Sequence, residues 1–255
     1  MAAESILLPT GAGHDISANL YRAESPKGVV VVAGAMGVAQ YNYAKFSLWL
    51  CEQGYSVVTF DYHGTGASIG EGVRHCQSGI LDWAKYDCSA IIDFAQSLSP
   101  HSELIWFGHS VGGQIVGMLP SDYPSKLTRV VTIACGNGYW LENALPTKRI
   151  AWFLWYFVAP ISTFLCGYFP GKRLNLVGDL PKRVMQQWRR WCLNPEYSVG
   201  AEGPQMREKY AAATTPITSL SFSDDEMMSR KSIDSLHDFY ASSPKKMVCI
   251  KPHEL

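Results

Sequence analysis

The stretch Leu104–Gly113, LIWFGHSVGG, places one serine between glycines at the end of an apolar run. Its residues Gly108, Ser110 and Gly112 fit the pattern G-x-S-x-G. The run before the pattern predicts a buried strand, and VGGQIVGML after it predicts a short helix. A sharp strand-to-helix turn strains the serine backbone, so neighbouring positions must lack a Cβ atom. The stretch therefore predicts a nucleophile elbow with Ser110 as the nucleophile.

The segments around this elbow alternate between strand and helix patterns. We predict strands at SILLPT, HDISANLYRA, GVVVVAGA, YSVVTFDY, SELIWFGHS, LTRVVTIACG, PITSLSFSDD and KKMVCI. Helices are predicted over 43–53, 80–98 and 226–240. The VVVV run lacks alternation, as is typical of a strand buried on both faces. The order indicates an α/β fold with a mostly parallel sheet covered by helices.

The alternation stops near residue 136 and resumes near residue 216. Residues 138–215 are helical and aromatic-rich in pattern, with no convincing strand. We interpret them as a helical cap over the carboxyl edge of the sheet, where open α/β sheets bind ligands. The predicted division is 1–137 for the first part of the core, 138–215 for the cap and 216–255 for the last part.

Composition excludes some function classes. The chain has 255 residues, with 22 Lys and Arg against 22 Asp and Glu. A neutral total gives no electrostatic reason to expect a nucleic-acid partner. Seven scattered cysteines without a C-x-x-C pair predict reduced thiols, and neither a disulfide framework nor a zinc site. The N-terminus lacks a signal-peptide pattern, so we expect a cytoplasmic protein. We also expect no metal and no cofactor.

One apolar segment complicates this expectation. Ile150–Phe169 contains no charged residue, and its length would give about 30 Å of helix, the thickness of a bilayer core. Lys148 and Arg149 precede it, Lys172 and Arg173 follow it, and a proline interrupts it. A pair of apolar lid helices is the interpretation that we favour over a membrane span. Peripheral contact with a membrane is the intermediate alternative.

The oxyanion donors should be backbone amides close to the elbow. The helix N-terminus after Ser110 supplies the amide of Val111. The glycine-rich turn after the first parallel strand, VVVVAGAMG, supplies the second amide. Its position after Ala33-Gly34 indicates Ala35, with Met36 as the alternative. A tight turn without a catalytic role is the simpler interpretation of this glycine-rich stretch.

The acid should follow the strand ITSLSF, where Asp224 and Asp225 both fit the chain order serine, acid, histidine. We prefer Asp225, although either residue could instead cap the next helix. The base should follow the last strand, and His253 is at that position. His237 is interpreted as a surface helix residue.

Two other histidines come before the expected position of the base. His109 adjoins the nucleophile and is interpreted as structural. His63 is interpreted as a turn residue in DYHGTGAS, a loop that hydrogen bonds to Asp61 would shape.

These segments together resemble the α/β-hydrolase superfamily. VVVVAGAMG, EQGYSVVTFDYHGTGAS, GHSVGGQ and PITSLSFSDDE have its order and spacing, over nearly all of the chain outside 138–215. They resemble its serine-hydrolase branch, which includes monoacylglycerol lipases and serine aminopeptidases, and most closely a bacterial group of predicted α/β hydrolases. The resemblance implies a nucleophile at Ser110, oxyanion donors at Ala35 and Val111, and an acid at Asp225.

The chain departs from the family pattern in two places. The His-Gly pair usual at the oxyanion turn is Ala33-Gly34 here. Similar hydrolases have a Gly-His pair and a final helix after the last strand, whereas here CIKPHEL ends at Leu255. Either His253 is the base, or the catalytic histidine belongs to a C-terminal piece beyond Leu255. We favour the second alternative, because a side chain at a chain terminus is poorly suited to keep a precise catalytic geometry.

The sequence therefore predicts a serine hydrolase that cleaves an ester, thioester or similar acyl bond of a small apolar substrate through an acyl-enzyme on Ser110. Aromatic residues of the cap favour an apolar group, although packing of the cap explains most of them equally well. These are Trp140, Trp152, Phe153, Trp155, Phe157 and Phe164. The alternative is a catalytically impaired binding or membrane-associated protein that keeps the fold without a complete triad.

Overall fold

A computed structural model describes residues 3–254 of the chain. Its centre is an eight-stranded sheet. The strands of this sheet are β1 Glu4–Pro9, β2 Asp15–Tyr21, β3 Gly28–Ala33, β4 Tyr55–Phe60, β5 Glu103–His109, β6 Arg129–Ile133, β9 Ile217–Phe222 and β10 Lys245–Ile250, while β7 and β8 form a separate hairpin described below. Their order across the sheet is β1-β2-β4-β3-β5-β6-β9-β10. Strand β2 runs antiparallel to both of its neighbours, and the other strand pairs are parallel. The predicted fold class is confirmed.

Helices cover both faces of the sheet. The helices are α1 Ala44–Glu52, α2 Ile80–Asp82, α3 Cys88–Leu98, α4 Val111–Gln114, α5 Leu145–Phe153, α6 Ala159–Cys166, α7 Lys182–Cys192, α8 Tyr197–Glu202, α9 Pro204–Ala212 and α10 Arg230–Asp238. One turn of π-helix, Trp83–Asp87, joins α2 to α3, and another, Leu154–Val158, joins α5 to α6. Two hydrophobic clusters, one on each face, enclose the sheet.

Strand β3 lies in the middle of this core. All six of its residues are buried, and it pairs with β4 on one side and β5 on the other. Its valines alternate between the two clusters, with Val29 and Val31 in the larger one and Val30 and Val32 in the smaller one. Burial on both faces explains why the sequence shows an unbroken β-branched run rather than alternation.

The segment between β6 and β9 is mostly helical, as predicted, but it also contains a small hairpin. Strands β7, Tyr168–Phe169, and β8, Leu180–Pro181, pair antiparallel. The expectation of no strand in this segment is therefore wrong. Two-residue strands contain no detectable alternation, so the pattern could not predict them.

The last part of this segment packs onto the core. Tyr210 on α9 is fully buried, and its hydroxyl donates to the Gln114 carbonyl at 2.7 Å. A Cβ atom on Gly117 would lie 2.4 Å from the Tyr210 ring, so glycine is what admits the ring. Helix α9 is thereby joined to the turn that follows the elbow.

Helix α10 begins four residues later than predicted. The pattern predicts a start at residue 226, whereas the structure has Ser229 as the N-cap, accepting from the Ser232 amide at 3.1 Å. The preceding residues instead form a turn around Asp225, described below. Both a serine and an aspartate are common N-cap residues, so the sequence pattern could not show whether the helix begins after Asp225 or after Ser229.

His237 is buried, so its interpretation as a surface residue is wrong. Its side chain reaches the Thr132 hydroxyl at 2.9 Å through Nε2 and the Ile233 carbonyl at 2.7 Å through Nδ1. A carbonyl only accepts, so Nδ1 carries a proton. Burial lowers the pKa of the ring below the usual 6.5, so His237 is neutral at pH 7 and its Nε2 then accepts from the Thr132 hydroxyl.

We predict that His237 makes stability fall in mildly acidic solution. Below pH 6.5 the unfolded chain takes up a proton at this histidine, whereas the folded chain takes it up only at its lower pKa. Stability is thus kept above pH 6.5 and lost as pH falls towards the folded pKa, by at most about 1.4 kcal/mol per pH unit for one proton. Urea unfolding between pH 7.5 and 5.5 measures this slope.

The variant H237Q should have a shallower slope over this range. H101Q alters an exposed histidine in the loop before β5 and is the control. An unchanged slope in H237Q would contradict the account.

Candidate active site

Strands β3, β4, β5, β6, β9 and β10 run parallel, so their carboxyl ends meet at one edge of the sheet. The predicted site residues all follow these ends. Ala35 follows β3, Ser110 follows β5, Asp225 follows β9 and His253 follows β10. The topology therefore brings the four segments to the same edge, as an open α/β sheet does for its ligands.

Ser110 occupies a strained turn between β5 and α4. Its backbone has φ 52° and ψ −118°, and a positive φ is uncommon for a residue other than glycine. Its amide donates to the Ile133 carbonyl at 3.0 Å, and its carbonyl accepts from the amides of Gly113 and Gln114. Bonds on both sides of the turn hold the conformation in place, and the side chain is half-buried.

The glycines around Ser110 are required by close backbone approach. A Cβ atom at Gly112 would lie 2.1 Å from the Ala33 carbonyl oxygen, and one at Gly108 would lie 2.4 Å from the Gly112 carbonyl oxygen. Backbone atoms cannot yield as a flexible side chain can. The G-x-S-x-G pattern is thus explained by the packing of the turn against β3.

The turn after β3 contains a hydrogen bond that the sequence did not predict. The Ala35 amide donates to the Tyr43 hydroxyl at 2.9 Å, and that hydroxyl lies 2.9 Å from Nδ1 of His109. Ala35 is therefore already paired, while the next amide, that of Met36, has no partner among residues 3–254. The Val111 amide at the start of α4 is likewise unpaired within this range.

The protonation of this network follows from its geometry. The Tyr43 oxygen accepts from the Ala35 amide, and its own proton is then directed to Nδ1 of His109. His109 consequently carries its proton on Nε2 and is neutral. Burial lowers the pKa of His109, and the negative charge of Asp225 opposes this shift. His109 thus contacts the turn after β3 through the Tyr43 hydroxyl.

Asp225 lies in a compact turn after β9. One carboxylate oxygen accepts from the amides of Met227 and Met228 at 2.8 and 2.9 Å. These bonds orient the carboxylate at the edge of the sheet. They are also the kind of contact that a residue capping the next turn would make, which is the alternative role that the sequence allows for Asp225. Asp224 is exposed, and it makes no such bond in the described part of the chain. Asp225 is therefore the better ordered of the two.

The structure does not bring the predicted base to the nucleophile. His253 lies exposed in a 3₁₀ turn, Pro252–Glu254, and has no hydrogen bond to Ser110 or Asp225. Within residues 3–254 the Ser110 hydroxyl has no hydrogen-bond partner. The roles of Ser110, Asp225 and His253 as a triad stay a prediction.

The loop around Asp61 has the form that the sequence predicts. The buried carboxylate accepts from the amides of Gln40 and Ala67, each at 2.8 Å. A Cβ atom on Gly66 would lie 2.3 Å from this carboxylate, which explains the glycine. Burial raises the pKa of Asp61, and these hydrogen bonds oppose the shift. Asp61 therefore shapes the turn.

His63 belongs to a polar cluster that no local pattern indicates. Its ring stacks on that of His14 with 3.6 Å between centroids, and its Nδ1 lies 2.7 Å from the Ser78 hydroxyl. The fully buried Asp87 accepts from Nε2 of His14 and from the His63 amide, each at 2.8 Å. The cluster joins the β1–β2 turn to the loop after β4. Its members are far apart in sequence, so only the fold could reveal it.

None of the described residues form a group of three or more His, Cys, Asp or Glu side chains able to hold a metal ion. All seven cysteines are free thiols, and most are buried.

Comparison with known proteins agrees with this geometry. The family model described as serine aminopeptidase, S33, matches residues 24–175, more than half of the chain. The chain belongs to the serine aminopeptidase S33 family. The predicted membership of the α/β hydrolases is thereby confirmed. The matched range of this family includes Ala35, Ser110 and Val111, whereas Asp225 and His253 lie outside it. No curated protein matches the chain in sequence.

Several solved structures share the fold of this S33 family member at low sequence identity. A soluble variant of monoglyceride lipase from Saccharomyces cerevisiae, in complex with a substrate analog, has a TM-score of 0.68 and 13% identity over 99% of this chain and 86% of that one. A thermostable carboxyl esterase from Bacillus coagulans, in complex with glycerol, has a TM-score of 0.63 and 15% identity over 99% of this chain and 91% of that one. A monoacylglycerol lipase from Paleococcus ferrophilus has a TM-score of 0.58 and 14% identity over 93% of this chain and 89% of that one. The chain is an α/β hydrolase by family and by fold.

We predict that the Tyr43 hydroxyl stabilises the oxyanion turn. The variant Y43F leaves the Ala35 amide and Nδ1 of His109 without their shared partner, which should lower the free energy of unfolding by about 1–3 kcal/mol. Y41F alters an exposed tyrosine two residues away and should stay within about 0.5 kcal/mol of the wild type. Urea unfolding measures both, and equal values for the two variants would contradict the account.

Proposed function

We propose that this protein is a serine hydrolase that cleaves an ester, thioester or similar acyl bond through an acyl-enzyme on Ser110. The observation that carries the proposal is the backbone of Ser110, held at positive φ between two glycines that no larger residue could replace without displacing backbone. Such strain persists where the surrounding structure fixes it, and it is typical of active sites. Ser110 is half-buried rather than fully enclosed, as attack on a substrate carbonyl requires.

Two unpaired amides support oxyanion binding in this proposal. The Val111 amide begins α4 directly after the nucleophile, where the positive end of the helix favours a developing negative charge. For the second donor we propose Met36 in place of Ala35, because the Ala35 amide is already paired with Tyr43. Tyr43 and His109 then act as positioning residues for this turn.

The proposed acid is Asp225, which would orient a histidine base. The base takes the serine proton as Ser110 attacks the carbonyl carbon, and it gives the proton to the leaving group as the acyl-enzyme forms. Water then attacks the acyl-enzyme while the base takes a proton from it, and the base gives this proton to the Ser110 oxygen as the acyl product leaves. Of the described histidines, His253 follows the last strand and has the position in chain order that this role requires.

The segment between β6 and β9 favours an apolar substrate. It contains exposed aromatic side chains, among them Trp152, Phe153 and Phe157. Trp155, by contrast, is buried against Trp188 and serves packing. The relatives in the fold comparison include a lipase solved with a substrate analog. We infer a small substrate with an apolar acyl or alcohol group.

A second candidate function is that of a catalytically impaired α/β-hydrolase-fold protein. The observation in its favour is that, within residues 3–254, no histidine makes a hydrogen bond to the Ser110 hydroxyl. Such a protein would bind an apolar ligand at the same edge without turning it over. Reactivity of Ser110 separates the two candidates.

We predict that a fluorophosphonate probe labels the protein covalently and that S110A abolishes the labelling. A fluorophosphonate reacts with a serine only where the site activates the hydroxyl. S121A alters an exposed serine in the loop after α4 and should label as the wild type does. Gel fluorescence after incubation with the probe gives the readout. Folded protein without labelling, or labelling that survives in S110A, would overturn the proposal.

A separate prediction concerns the base. If His253 takes the serine proton, H253A should lower turnover of a short-chain nitrophenyl ester by at least about 100-fold, the usual contribution of general base catalysis. Initial rates of nitrophenol release measure it, with H101Q as the control. Unchanged turnover would show that His253 is not the base while leaving the role of Ser110 intact.

A further inference from the structure

The longest helical segment presents an unpartnered apolar face. Leu145–Cys166 forms one continuous helical run of 22 residues that is long and apolar enough to cross a membrane, and only 22% of its most apolar 18-residue window is buried. Most of its exposed apolar side chains are spaced about three or four residues apart, so they share one face. These residues are Ile150, Phe153, Phe157, Ile161, Phe164 and Leu165. An exposed patch of this kind typically marks a binding surface.

The opposite face of the helix is fixed to the rest of the protein. Ala151, Trp155, Ala159 and Thr163 are buried at intervals of four residues. The Trp155 ring packs edge-on against Trp188, with 5.0 Å between centroids. A helix with one face packed on its own protein cannot be surrounded by lipid. The segment is thus suited to lie along a surface rather than to span a membrane.

The π-turn in this helix strengthens the attachment to α7. The Ala159 amide bonds to the Leu154 carbonyl, so the next amide in this register would bond to the Trp155 carbonyl. That next residue is Pro160, which has no amide proton. The Arg189 side chain donates to the Trp155 carbonyl instead. The helix is therefore anchored at the position where its own hydrogen bonding is interrupted.

The charges within the chain segment that carries the apolar face have a single sign. Residues 143–178 contain no Asp or Glu, whereas Lys148, Arg149, Lys172 and Arg173 lie at the two ends of the apolar run. The whole chain is neutral, so this segment is basic against its own background. Arg149, Lys172 and Arg173 are exposed. Apolar side chains flanked by exposed basic ones complement an anionic lipid surface.

A basic groove lies directly beside this face. It has a volume of ≈ 550 Å³ between α6 and α7, and Phe164, Lys182 and Arg189 line it. Thr163 also lines it, and its buried hydroxyl has no hydrogen-bond partner among the described residues. Two cations next to an exposed phenylalanine suit a phosphate headgroup whose acyl chains follow the apolar face.

We propose that the helix Leu145–Cys166 docks this protein on the surface of an anionic phospholipid membrane. The helix lies in the plane of the interface, with Phe157 and Phe164 inserted about 5–10 Å below the headgroups. The start of the helix is joined to the loop of Asp225 by a bond from the Ala144 amide to the Met227 carbonyl at 3.0 Å. Docking therefore positions the candidate active-site edge beside the membrane. The proposal does not depend on the proposed hydrolase activity.

Vesicle flotation tests the docking. We expect the wild-type protein to float with vesicles of phosphatidylcholine and phosphatidylglycerol and to bind pure phosphatidylcholine vesicles more weakly, with binding reduced by salt. L165D should weaken binding at least about tenfold, because an apolar contact is replaced by a charge. R149S should weaken it about fivefold on the anionic vesicles alone, since one basic residue near the surface contributes about 1 kcal/mol.

Matched variants elsewhere separate docking from nonspecific effects. Leu7 on β1 is 70% exposed, against 73% for Leu165, so L7D is the control for L165D. K246S is the control for R149S, and both controls should float as the wild type does. Absence of flotation, equal losses in the controls, or equal binding to both vesicle types would overturn the proposal. A dimer seen by sedimentation velocity that L165D dissociates, without vesicle binding, would instead assign this face to a second copy of the chain.

Discussion

The close approach of the Ser110 turn to β3 is the constraint on which the candidate site depends. Gly112 lies so near the Ala33 carbonyl that no side chain fits between them. This contact fixes the start of α4 against the strand and thereby sets the direction of the Val111 amide. The same strand continues into the turn of Ala35 and Met36, so the nucleophile and both proposed oxyanion donors are held by one piece of backbone packing.

The sequence predicted the parts of the molecule that rest on local patterns. The buried valines of β3 and the glycines around Ser110 each leave a local signature, because burial selects β-branched residues and close backbone approach selects glycine. The carboxylate turn of Asp61 is confirmed for the same reason, since its partners lie within a short loop and the adjoining turn.

The sequence could not predict contacts between distant segments. Nothing near Tyr43 indicates that its hydroxyl pairs with the Ala35 amide and with His109, which comes 66 residues later. The pattern places His237 in a helix away from the sheet edge and so predicts a surface residue, yet the fold places it against Thr132 on β6. Such pairings depend on which strands become neighbours in the sheet, and a local sequence pattern does not determine the strand order.

The inserted segment has two physically different parts. Helix α9 carries Tyr210 into the core, whereas the helix Leu145–Cys166 leaves an apolar face uncovered. An apolar face that packs on nothing costs free energy in water, and a lipid surface would recover that cost. The arrangement connects a proposed acyl hydrolase to the place where apolar acyl substrates are concentrated. Substrate supply and membrane docking would then use the same segment.

The most direct test of the central claim is to trap the acyl-enzyme. The protein is mixed with a short-chain nitrophenyl ester, quenched in acid within seconds, digested and analysed by mass spectrometry. The account predicts an acyl group on the peptide that contains Ser110, and none on that peptide in S110A. Nitrophenol release by folded protein with the acyl group on a different side chain, or with none on Ser110 at any time, would contradict it.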